Sequence, residues 1–152
     1  MPVSPPTVLT IAGVCFLRSG AGGAELLTVR KRGTTRFMLP GGKLDAGETA
    51  AAAAVREVSE EIGLNLTTAD LALLGSFDEV AANEADTRVA ATVYTASLSE
   101  QPEAAREIEA LRWQPLTQTP PDVAPLLARH VLPALRTRHP EAQPAGSGRP
   151  AG

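Results

Sequence analysis

The sequence predicts an α/β fold of the α+β kind, with one domain over residues 7–138. Three observations point there. Short β-branched and apolar runs recur along most of the chain. One alanine-rich segment has the composition and the flanking residues of a helix. A second stretch near the end spaces its apolar residues at helical intervals. At 152 residues the chain is long enough to bury a core. Its 43% hydrophobic and 20% charged residues are ordinary for a soluble globular protein. The net charge of -3 gives no pull toward nucleic acid or an anionic membrane, so neither is an expected partner.

The elements follow in chain order. "MPVSPP" should be irregular, and "VLTIAGVCFLR", residues 8–18, reads as a buried strand. "SGAGGA" is a turn and "ELLTVRK" a second strand, so residues 8–30 form a hairpin. The basic loop "RGTTR" leads to a short extended piece, "FMLP", which the glycines at 41 and 42 end. A helix runs from about Ala50 to Ile62, with Thr49 as its N-cap and Gly63 just past its end. "LALLGSFDEV" and "RVAATVYTASL" are strands joined by the turn "AANEADT", and "EIEALRWQPL" is a further strand. From Asp122 onward the apolar spacing predicts the last helix, which Pro133 should kink. Residues 139–152 have the composition of a disordered tail.

Targeting and redox signals are few. The apolar run from Val8 to Leu17 is too short to span a bilayer and lacks a basic segment ahead of it. A cytoplasmic location follows by default. The one cysteine, Cys15, lies in an apolar run and reads as a small buried hydrophobe.

The alanine run Ala50–Ala54 leads straight into Glu57, Glu60 and Glu61. Those glutamates share one helix face, being three and four residues apart. Val55, Val58 and Ile62 fall on the opposite face, where they can pack on a sheet. Ala50, Ala53 and Ala54 lie on the glutamate side, where their small size keeps that face open. Bare like charges at this spacing destabilise a helix, and a divalent cation reverses the sign. Carboxylate oxygens suit magnesium or manganese. A solvated acidic face is the competing explanation.

The wider spacing decides between them. Gly42, Glu48, Arg56, Glu57, Val58, Glu60, Glu61, Gly63 and Leu64 reproduce every fixed position of the Nudix box. The chain therefore resembles the Nudix hydrolases. The resemblance implies an α/β/α sandwich with a mixed β-sheet between helices, the box forming a loop-helix-loop. It also implies hydrolysis of a diphosphate linkage in a nucleotide, with Mg2+ or Mn2+ as cofactor. By position, Glu57, Glu60 and Glu61 are the implied metal ligands, with the backbone carbonyl of Gly42. Arg56 is implied to orient Glu57 or Glu48. The general base is implied to be Glu57 or a downstream glutamate, for which Glu107 is the candidate. A homodimer is common among similar proteins.

Other residues weigh less. Lys43 could contact phosphate, although "GGK" here is no P-loop. Arg30, Lys31, Arg32 and Arg36 form a basic cluster that could bind substrate phosphates or sit in solvent. Phe37, Phe77, Tyr94 and Trp113 are better read as core than as base-stacking platforms. His130 lies on the apolar side of the last helix with no ligand-spaced partner, and reads as structural.

The resemblance also bears on substrate. ADP-ribose hydrolases often carry a proline about sixteen residues past the box, and dinucleoside polyphosphate hydrolases a tyrosine in that region. This chain has "DEVAAN" there. The reading is a nucleoside triphosphate pyrophosphohydrolase. The alternatives are a hydrolase of ADP-ribose, nucleotide sugars or dinucleoside polyphosphates, and a non-catalytic nucleotide-sensing module.

Overall fold

The computed structural model of the chain describes residues 5–140. Strands β1 (Thr7–Gly20) and β2 (Gly23–Lys31) form the predicted hairpin, in register Leu17 to Leu26. β3 (Gly41–Lys43) follows, then helix α1 (Ala50–Ile62), β4 (Ala72–Val80), β5 (Thr87–Ala96), β6 (Ile108–Pro115) and helix α2 (Leu132–Arg138). The sheet is mixed, in the order β4-β5-β1-β2-β6, with β3 also paired to β1. β1 and β5 run parallel, and the other pairings are antiparallel.

Period-two alternation explains the layers. Ala12, Val14 and Phe16 of β1 and Leu27 and Val29 of β2 face α1, packing with Val58 and Ile62. Cys15 and Leu26 face the other way, toward Leu127, Val131, Leu132 and Leu135. The central strands are thus apolar on both faces, as an α/β/α sandwich requires. Each side chain fully buried this way contributes about 1.5–3 kcal/mol. Among the described residues no helix is long and apolar enough to cross a membrane.

β1 is longer than any one partner on its β2 side. Its Leu17–Gly20 end pairs with β2, while Ile11–Gly13 pairs with β3. β2 and β3 therefore diverge, and the glycine turn is held against the middle of the sheet. This corrects the expectation that Gly41 and Gly42 merely end an extended piece. They belong to strand β3 itself, and at Gly41 the approach to β1 leaves no room for a Cβ. A Cβ on Gly41, whose φ is +152°, would fall 2.0 Å from the Ala12 carbonyl oxygen.

The C-terminal helix carries its irregularity just ahead of Pro133: Leu127–Val131 form a π-turn that runs directly into α2. The wider turn precedes a proline that has no N–H to donate and would crowd the carbonyl four residues back. The predicted tail lies, from residue 141 on, outside the described residues, as do the first four residues.

Candidate active site

Helix α1 sets the geometry. Thr49 Oγ1 accepts from Ala52 N–H at 3.1 Å, and Gly63 takes a left-handed φ of +73° just past the helix. The face turned to the sheet carries Ala53, Ala54, Val58, Glu61 and Ile62. Two expectations fail here. Ala53 and Ala54 do not keep a face open, since both are fully buried in the core. Val55 is only half-buried. The helix is rotated toward its small residues. Without bulky side chains there, α1 lies close on the sheet and carries Glu61 inward with it.

Glu61 is 2% exposed. Its Oε1 accepts from Gly41 N–H at 2.9 Å. Its Oε2 is buried with no hydrogen-bond partner, and Lys31 Nζ stands 4.0 Å away, too far for one. Burial pushes this carboxyl up to about 7. The Gly41 N–H and the Lys31 charge oppose that rise, while Glu57 and Glu107 add to it.

Arg56 organises the other carboxylates. It grips Glu48 in a bidentate pair, Nε to Oε2 at 2.9 Å and Nη2 to Oε1 at 2.8 Å. Its Nη1 donates to Glu57 Oε1 at 2.5 Å and lies 3.6 Å from Glu60 Oε2. Its Nη2 also donates to the Lys43 carbonyl at 3.0 Å, which ties the helix to β3. The Arg56 hydrogen bonds, with the Asp45 N–H, hold Glu48 down to about 2. Glu57 Oε2 is turned toward Gly42, where an added Cβ would fall 2.6 Å from it.

No group of three or more His, Cys, Asp or Glu side chains among the described residues is already arranged to hold a metal ion. Arg56 engages Glu57 and stands beside Glu60 instead. The donor set nonetheless suits a hard divalent cation. A buried carboxylate oxygen without a partner is costly, and a cation against it would remove that cost. The glycine cradle facing Glu57 Oε2 leaves room that a side chain would fill.

The remaining candidates separate into two groups. Glu107 is exposed and lies 3.4 Å from Lys31 Nζ, which joins it to the Glu61 side of the site. Lys31 and Lys43 line a cavity of about 140 Å³ on the α2 side of the sheet, together with Gly41 and Gly42. Its walls are mostly aliphatic, including Ile11, Met38, Val89, Leu126 and Leu127. Arg30, Arg32 and Arg36 do not line it. Arg30 Nη1 donates to the Thr34 carbonyl, Arg36 Nη1 donates to the Pro121 and Val123 carbonyls, and Arg32 is exposed. None of the four aromatic candidates lines it either. Arg112 covers Phe37 at 3.8 Å, Arg18 covers Trp113 at 4.2 Å, Phe77 stacks on His130, and Tyr94 packs with the α1-side core.

Sequence reasoning passed over Glu79. It is 6% exposed and accepts from Val80 N–H, from Arg129 Nη1 at 2.7 Å, and meets His130 Nε2 at 3.1 Å. A signal was available. Phe77 packs into the α2-side core, and Glu79 shares its parity on β4.

The comparisons agree with this architecture. A family model described as the NUDIX domain matches residues 9–135. No curated protein matches the chain. Among solved structures it is similar to a MutT NUDIX hydrolase from Burkholderia pseudomallei. That pair has 26% identity and a TM-score of 0.69, over 85% of this chain and 98% of the other. It is also similar to a C. elegans Ap4A hydrolase, at 17% identity and a TM-score of 0.67, over 87% and 98%. The NUDIX domain of Shewanella oneidensis NrtR, complexed with ADP ribose, matches at 18% identity and 0.67, over 88% and 89%. The last two likenesses bear on the fold alone. With the family model matching most of its length, this chain belongs to the NUDIX family.

Proposed function

We propose that the protein is a divalent-metal-dependent diphosphatase acting on nucleotides, with a nucleoside triphosphate as its substrate class. One observation carries the reading. Glu61 is buried with an open oxygen beside the Gly41–Gly42 turn, next to a glutamate oxygen aimed at the same turn. No hydrogen bond satisfies that oxygen and the Lys31 charge at 4.0 Å offsets its burial only in part, so a ligand is the natural recipient. Glu57, Glu60 and Glu61, with the Gly42 carbonyl, would hold Mg2+ or Mn2+. Such an ion neutralises diphosphate charge and acidifies a bound water.

The chain's own residues do the rest. Arg56 fixes Glu48 and Glu57 and ties α1 to β3. Lys31 and Lys43 line the cavity, where they would meet a terminal phosphate. Glu107, exposed beside Lys31, and Glu57 are the two carboxylates available to accept a proton from the attacking water. The test is a hydrolysis panel of nucleoside triphosphates, ADP-ribose, nucleotide sugars and dinucleoside polyphosphates, with and without magnesium or manganese. Oxygen-18 water then marks which phosphorus is attacked. Metal-dependent release from a triphosphate supports the reading. A strong preference for ADP-ribose or a dinucleoside polyphosphate would overturn the substrate class, and no hydrolysis of any member would overturn the enzyme.

A further inference from the structure

The segment that carries Glu107 is fastened beside the site by its backbone. Glu103 N–H donates to the Ile62 carbonyl at 3.1 Å, and Ala105 N–H to the carbonyl of Glu61 itself at 2.9 Å. Arg32 N–H donates to the Glu107 carbonyl at 2.7 Å, which joins the segment to the end of β2. Between these anchors Ala105–Ile108 form a tight turn, closed by Ile108 N–H on the Ala105 carbonyl at 3.0 Å. Its first central residue, Arg106, has a left-handed φ of +53°. Glycine is the ordinary occupant of such a position, and an arginine there is strained. Among the described residues only Asp86 shares a positive φ without being glycine, and a short Asp side chain tolerates it. Packing gives no reason for Arg106. Its side chain is exposed and makes no hydrogen bond or ion pair among the described residues, and the same is true of Arg32.

The structure assigns Arg106, with Arg32 beside it, to an anion clamp on the lip of the site. This rests on the diphosphatase reading above and adds residues that hold the outer, non-metal end of the anion. A strained residue persists where its side chain is used, and here the side chain is a free guanidinium. The two arginines bracket one peptide, since Arg32 N–H bonds the Glu107 carbonyl and Arg106 immediately precedes it. Glu107 lies 3.4 Å from Lys31 Nζ, which stands 4.0 Å from Glu61 Oε2. The clamp therefore begins within an arginine's reach of the carboxylates. Those carboxylates repel a phosphate that extends past a bound cation, and a positive lip offsets the repulsion. A guanidinium suits phosphoryl oxygens because its fork of N–H donors can bind two of them at once.

Arg106→Gly pulls stability and binding in opposite directions. Relief of the left-handed strain should raise Tm by roughly 2–4 °C. Loss of the guanidinium should weaken binding of methylenediphosphonate about tenfold, read by calorimetry with magnesium present. That probe has a P–C–P bridge in place of the cleavable linkage, so binding is read apart from turnover. Arg106→Asn, which accepts the turn without a charge, should weaken binding equally, and Arg106→Lys should recover part of the loss. In turnover of a nucleotide the loss should fall on KM more than on kcat. Absent binding in the parent, unchanged affinity in the Gly and Asn variants, or a Tm that falls along with affinity in both would overturn the clamp. Binding that depends on Arg106, in a protein that hydrolyses no nucleotide, would instead sink the enzyme reading and leave the clamp standing.

Discussion

Glu61 and Glu79 are both buried carboxylates, and their surroundings are opposite. Glu79 is saturated by a backbone N–H, a guanidinium and an imidazole, and these hydrogen bonds hold its carboxyl below the ordinary range. Glu61 keeps one N–H and an open oxygen, and burial raises its carboxyl to about 7. A folded chain satisfies the buried charges it uses as structure. Glu61, left half-satisfied beside a glycine turn, is the carboxylate on which the proposed metal site rests.

The largest effect should separate the two glutamates by activity. Glu61→Gln and Glu60→Gln should each lower kcat at least about 100-fold while circular dichroism shows an intact fold. Glu79→Ala should leave kcat near that of the parent. Near-normal turnover in both box variants would erase the distinction.

The next effect is on pH and stability. A carboxyl raised to about 7 binds its proton more tightly folded than unfolded, where it titrates near 4.5. Stability of the metal-free protein should therefore fall as pH climbs from about 4.5 to about 7, by at most about 3–4 kcal/mol from this group, roughly 1.4 kcal/mol per pH unit. Glu79 and Glu48 have the opposite sign. Their stabilisation is present above the ordinary carboxylate range and is lost as pH falls, through about 2 for Glu48. Urea unfolding in EDTA at pH 5 and pH 8 should show the parent losing ground against Glu61→Gln at the higher pH. Parallel behaviour would contradict the raised value.

Smaller still is the cost of opening the satisfied site. Glu79→Ala should destabilise by about 2 kcal/mol, because Arg129 and His130 lose their partner. Gly42→Ala sharpens the comparison from the other side. Its Cβ must displace Glu57 Oε2, so kcat should drop about tenfold, roughly 1.4 kcal/mol, with little change in melting temperature.

The contrast between the glutamates also shows what the sequence could carry. The bounds of α1, its caps and the Nudix box were legible because each rests on local spacing. The rotation of α1 was not. A helical wheel places Ala53 and Ala54 beside the glutamates, but which side meets the sheet depends on packing against β1 and β2, which are distant in sequence. The π-turn ahead of Pro133 was likewise invisible, since a proline signals strain without saying how it is relieved. Glu79 was missed because its partners lie fifty residues away on the π-turn. The cavity draws on β1, β5 and the segment before α2, so no short motif could announce it.

The central claim is that the open oxygen of Glu61 awaits a cation. Calorimetric titration of Mn2+ into the parent and into Glu61→Gln tests it without any substrate. The parent should bind Mn2+ saturably, with a rise in melting temperature as the folded state takes up metal. Both should be largely lost in the variant. Equal Mn2+ affinity in the two proteins would contradict it, and the orphaned oxygen would then need another explanation.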